Sequence, residues 1–133
     1  MNQTIWKRIF VAWLPVLVWA GIIFWLSGQS YPPDVGPQFP FKRKYEHMIG
    51  YAMFGFLVMR GVRKAHALSL AKSTVLAIVL VVAYASSDEY HQSFVPKRHP
   101  SVRDVAIDTV GASAGICACC VYESRRRGAG GAW

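Results

Sequence analysis

Residues 87–108 read SDEYHQSFVPKRHPSVRDVAID and separate two apolar runs, at about 74–86 and about 105–122. The chain has seven acidic residues, and four of them (Asp88, Glu89, Asp104 and Asp108) fall in this one stretch. Ionisable groups at the edge of a hydrocarbon layer cost free energy unless they are paired or hydrated. If the flanking runs are membrane helices, the stretch is a turn at the bilayer surface that gathers the polar chemistry of the protein.

The rest of the chain agrees with that condition. Two further apolar blocks lie at about 9–26 and about 48–62, and 53% of all residues are hydrophobic against 17% charged. Such a balance in 133 residues suits one small membrane bundle. A spanning helix needs roughly 17–25 residues. The first block meets that length without a charge, and Trp13, Trp19 and Trp25 suit a bilayer setting. Pro15 is tolerable there because neighbouring helices re-satisfy the freed backbone group. The block is longer than the apolar core of a signal peptide, and no A-x-A-like site follows in LSGQSY, so it is read as a retained helix. The second and third blocks reach spanning length once their polar ends are included. The expectation is an all-α fold with four transmembrane helices at about 9–27, 45–62, 73–92 and 102–122, forming one domain over 1–124. A basic, Gly-rich, disordered cytoplasmic tail is expected over 125–133.

Charge then orients the bundle. With both termini inside, the inner segments hold nine of the fifteen basic residues, including Lys7, Arg8, Arg60, Arg63, Lys64 and Arg125–Arg127. The positive-inside rule counts Lys and Arg only, and nine against six favours N-in, C-in. The expected location is the inner (cytoplasmic) membrane, multi-pass. The net charge of +8 is thereby assigned to flanks that face anionic lipid, not to a nucleic-acid surface.

Four spans bring the first and third loops to the same pole. Lys44, His47 and Tyr51 share one face of helix 2, and Tyr84, Asp88, His91 and Gln92 share one face of helix 3. On helix 4, Asp104, Asp108, Gly111 and Gly115 form one stripe. Ser101 three residues ahead of Asp104 has the spacing of a capping box with Asp in the acidic place. Gly111-Ala-Ser-Ala-Gly115 is a small-xxx-small pattern for close helix packing, in the same chain or against a second copy.

These residues carry a resemblance. The pair K-x-x-H (Lys44, His47) with Tyr51 four residues on, the run DEYHQSFVPKR (88–98), and S-x-x-D-x-x-x-D leading into a Gly-rich helix resemble the VanZ-like membrane proteins. The resemblance extends from about Lys44 to Cys119, with a compatible first helix. Lys97 departs from it, since many members have Gly there, and so does His99-Pro100. The resemblance implies cell-envelope biology and names no reaction. The family takes its name from a protein linked to low-level teicoplanin resistance, so any such role here rests on resemblance alone.

The polar pole supports three chemistries. His47, Asp88 and His91 are the candidate catalytic groups, a histidine acting as acid or base beside a carboxylate. Lys44, Tyr51, Glu89, Gln92, Arg98, Asp104 and Asp108 are candidate binding residues, with Arg98 able to fork onto two phosphate oxygens. The expected partners are membrane lipids, in particular a phosphate-bearing lipid or glycolipid headgroup. A divalent metal is the less favoured reading, because no HExxH or similar two-His motif is present, and no cofactor is expected. The integral phosphatase signature K-x6-R-P, P-S-G-H, S-R-x5-H is also absent. The alternative is a non-catalytic scaffold or partner-binding module, in which Lys44 and Arg98 neutralise Asp88 and Asp108 in an ion-pair network while the histidines bridge helices. Cys117, Cys119 and Cys120 lack C-x-x-C spacing and are read as reduced packing residues. The Pro-rich loop 29–42 is read as a surface connection, with a lid over the site as the second reading.

Overall fold

The structure, a computed structural model, describes residues 3–30 and 36–130. Four helices follow in order: α1 (Gln3–Ser27), α2 (Lys42–Ala65), α3 (Leu70–Gln92) and α4 (Val102–Gly130). No strand occurs among the described residues, so the all-α expectation holds.

Every helix runs past its apolar block. The helical hydrogen-bond ladder is a backbone property, so polar turns continue it wherever water or lipid headgroups solvate the side chains. α1 begins at Gln3, and α3 begins at Leu70 behind an N-cap in which Ser69 Oγ accepts from Lys72 N–H at 3.4 Å. α4 requires a correction. It continues to Gly130, so residues 125–130 are helix where a disordered tail is expected, and residues 131–133 lie outside the described ones. Arg125–Arg127 in the last turns complement the negative end of the helix dipole, which favours extension.

α1, α3 and α4 are each long and apolar enough to cross a membrane. They present apolar rows outward, among them Trp6, Phe10, Leu17, Val18 and Trp25 on α1, Val75 and Val79 on α3, and Val110 and Val121 on α4. A soluble monomer does not expose contiguous apolar surface on that scale. α2 is different. Its 24 residues reach about 36 Å at 1.5 Å per residue, but it carries basic ends and buries Tyr51, Phe54, Val58, Met59 and Val62 against the other three helices. It is the central post of the bundle.

Its closest neighbour is α4, because glycine lets the two backbones touch. A Cβ on Gly111 would collide with the Met48 carbonyl, one on Gly115 with the Ala52 carbonyl, and one on Gly55 with the Ala112 carbonyl. The small-residue stripe therefore packs within the chain, against α2. α1 is tied on by two side-chain bonds to backbone: Trp19 Nε1–H donates to Gly50 O at 2.9 Å, and Tyr84 OH donates to Ala20 O at 2.6 Å.

Candidate functional site

The loop from α3 to α4 is shaped by one turn. Pro96 and Lys97 are its central residues, Lys97 has φ 65°, and Arg98 N–H donates to Val95 O at 3.2 Å. Proline followed by a left-handed residue is the arrangement of a type II turn, whose third position favours glycine. Lysine therefore stands in this chain at a turn position where its Cβ is unfavourable. The turn aims Arg98 at the end of α1, where Nε donates to Gln29 O at 3.1 Å and Nη2 to Leu26 O at 3.1 Å. A guanidinium on the last carbonyls of a helix is a C-terminal cap. The first and third loops thus meet at one pole. Burial pulls the Arg98 pKa below its ordinary value, with Arg43 acting the same way and Asp88 and Glu89 opposing, and the group remains a cation.

Beneath this cap lies Asp88, 2% exposed. Its Oδ2 accepts three hydrogen bonds, from Ser27 Oγ at 2.8 Å, Tyr51 OH at 3.2 Å and Gln92 Nε2 at 3.2 Å. One carboxylate oxygen therefore clamps α1, α2 and α3 together. Ser27 was not anticipated, although a polar residue in the last turn of an apolar helix at this pole was the available signal. His91 lies on the α1 side of α3, its ring stacked on Phe24 with centroids 4.1 Å apart and planes 20° apart. Gly28 is its neighbour on the α1 side, where an added Cβ would lie 3.4 Å from the ring, in van der Waals contact.

A separate cavity of about 220 Å³ opens between the first turns of α2, the end of α3 and the start of α4. Lys44, His47, Glu89, Gln92, Arg98, Asp104 and Asp108, all expected site residues, line it. Lys97, a further candidate phosphate contact, lines it as well, and so do Arg43, His99 and Ile107, which were not anticipated as site residues. Tyr51, Asp88 and His91 are not among the lining residues, so the sequence-predicted set divides into two groups. Asp108 is 0% exposed, and His47 Nδ1 lies 3.5 Å from its Oδ1.

The helix start beside the cavity departs from the expected capping box. Ser101 Oγ accepts from Arg103 N–H at 3.1 Å, as an N-cap does, but Ser101 N–H donates to Glu89 Oε2 at 3.0 Å. Glu89 of α3 supplies the reciprocal bond that the sequence assigns to Asp104, and Asp104 lines the cavity. The ion-pair network expected under the scaffold alternative also differs. Arg98 bonds carbonyls, the Lys44 ammonium lies 5.9 Å from the Phe41 ring centroid, and Asp88 is held by neutral donors. Full desolvation of a charge pair is expensive, and hydroxyl and amide donors hold a buried carboxylate without burying a second charge. Among the described residues, no three His, Cys, Asp or Glu side chains come together closely enough to hold a metal ion.

A helical bundle with an apolar outer surface and its ionisable residues collected at the helix ends is an integral membrane protein. The VanZ/LLP1 family pattern matches residues 10–123, and the chain belongs to that family. No curated protein and no solved structure matches it.

Proposed function

We propose that the cavity recognises the headgroup of an envelope lipid or glycolipid, on the extracytoplasmic face of the inner membrane, in a four-span protein with both termini inside. The observation that carries this reading is the division of charge around the cavity. Arg43, Lys44, Lys97 and Arg98 come from the start of α2 and the α3–α4 loop, while Glu89, Asp104 and Asp108 come from α3 and α4. Cationic side chains suit a phosphate, and carboxylates accept from the hydroxyls or amines of the group attached to it. The volume of about 220 Å³ is below the roughly 300–1,000 Å³ of pockets for drug-sized ligands, so it suits a headgroup whose chains stay in the bilayer. His47, beside Asp108 at 3.5 Å, is the group placed for acid–base chemistry on such a ligand.

A scaffold role is favoured by a specific observation for one subset only. Asp88 with its three donors, Arg98 on α1 and His91 on Phe24 all hold helices together. Arg98 also lines the cavity and so serves both, and the test therefore uses lining residues outside this bracing set. Protein purified into nanodiscs from native membrane is analysed for bound lipid, together with His47→Gln and Lys44→Gln. The reading expects enrichment of one phosphate-bearing lipid or glycolipid class, lost in both variants at unchanged yield of folded protein. Bound lipid that mirrors the bulk membrane in all three would leave the scaffold role standing.

A further inference from the structure

We propose that the opposite pole carries a second binding site, for the phosphodiester headgroup of an anionic phospholipid, at the C-terminal end of α2. A cleft of about 440 Å³ lies there between α2 and α4. Arg60 and Lys64 reach it from α2, and Arg126 and Arg127 from α4. Phe56 and Tyr122 supply its apolar part, with their rings 6.2 Å apart. Among the described residues its lining has one carboxylate, Glu123, and Arg63 already holds that at 3.2 Å. Arg63 also donates to Leu68 O at 2.9 Å, so this arginine fixes the α2–α4 junction and leaves the other four cations to a ligand.

The composition of the cleft distinguishes it from a merely solvated basic flank. A charge run that only orients a membrane protein needs neither a recess nor an aromatic lining. Here the Arg126 guanidinium lies 5.9 Å from the Tyr122 ring centroid, so the cation is held beside the apolar surface. Cations next to aromatic carbon match the junction of a lipid, where phosphate meets glycerol and acyl chain. Basic pockets between membrane helices on the cytoplasmic side take anionic headgroups for this reason. The field also continues around α2: a neighbouring cleft against α1 shares Arg63 and Lys64 and adds Lys7 and Arg8. No lining residue is shared with the headgroup cavity, and separate variants, at Arg60 and Arg127 here and at His47 and Lys44 there, read the two sites, so either proposal can fail alone.

The test uses the full chain in phosphatidylcholine nanodiscs doped with phosphatidylglycerol, with bound lipid counted after mild extraction. The unmodified protein retains phosphatidylglycerol in preference to phosphatidylcholine, and the preference falls as salt rises. Each near-surface cation contributes a factor of about five to that preference, so Arg60→Gln combined with Arg127→Gln lowers it about 25-fold. Lysine at the same two positions retains it, and Arg103→Gln at the other pole leaves it unchanged. Equal retention of the two lipids by the unmodified protein would overturn the proposal. So would an intact preference in the double glutamine variant, or displacement of the lipid by inorganic phosphate, which would mark a free-phosphate site.

Discussion

At the scale of single residues, two groups of polar side chains lie side by side with different duties. Asp88 holds three buried donors, and truncating it strands all of them. A stranded donor costs about 1–3 kcal/mol, so Asp88→Ala is expected to lose several kcal/mol and fail to accumulate as folded protein in detergent. Tyr51→Phe removes one donor and is expected to cost about 1 kcal/mol, read as a modest fall in unfolding midpoint. Lys97 gives a backbone counterpart. Lys97→Gly and Lys97→Ala lose the same side chain, but only glycine relieves the left-handed φ of 65°. The glycine variant is expected to be more stable than the alanine one by about 1 kcal/mol in denaturant unfolding, and equal midpoints would contradict the strain. The sequence made the residue types at this pole legible, along with the oddity of a lysine in that turn. Which partner each carboxylate takes was not legible, because Asp88 and Glu89 are both buried, on faces about 100° apart that meet different parts of the chain.

At the scale of the element, glycine decides which helices meet. Gly115 faces the Ala52 backbone, whereas nothing lies within 4 Å of a Cβ built on Gly21. Gly115→Ala is therefore expected to destabilise the bundle by about 1–3 kcal/mol or more through overpacking of α2 on α4. Gly21→Ala, on the outward face of α1, is expected to be neutral or stabilising by up to about 1 kcal/mol. Thermal unfolding of the two variants side by side checks the contrast, and equal effects would refute the packing account. The GASAG spacing announced a close contact but not its partner, since a stripe of small residues fits any helix that approaches it. The α4 start shows the same limit. A capping box is a local pattern, yet its acid comes here from Glu89, twelve residues upstream on another helix.

For the whole molecule, one-sidedness is the organising property. A cavity of mixed charge stands at one pole and a basic cleft at the other, joined by a core of Val16, Val58, Val81, Ile116 and their neighbours. The proposed orientation puts the mixed pole outside. With Cys117, Cys119 and Cys120 replaced, single cysteines at Gln29 and Lys97 are expected to react with an impermeant label added to intact cells, and one at Lys64 to be protected. The reverse pattern would invert the topology. The Pro-rich loop bears on the same pole, but residues 31–35 lie outside the described ones, and with them Pro32, Pro33 and the middle of the lid reading.

Composition, block length and the Lys/Arg asymmetry by themselves determined a helical membrane bundle with its acids gathered at one end. These are properties of short windows, and the bilayer imposes its length and polarity on each window separately. Local spacing also placed Lys44, His47, Glu89, Asp104 and Asp108 at a common pole. Tertiary structure alone decided which of the polar residues line a cavity and which brace helices. That division depends on helix rotation and on the depth set by Gly55, Gly111 and Gly115, where α2 and α4 come into backbone contact. It brings residues 61 positions apart, Ser27 and Asp88, within 2.8 Å, and no pattern in the intervening chain records that distance.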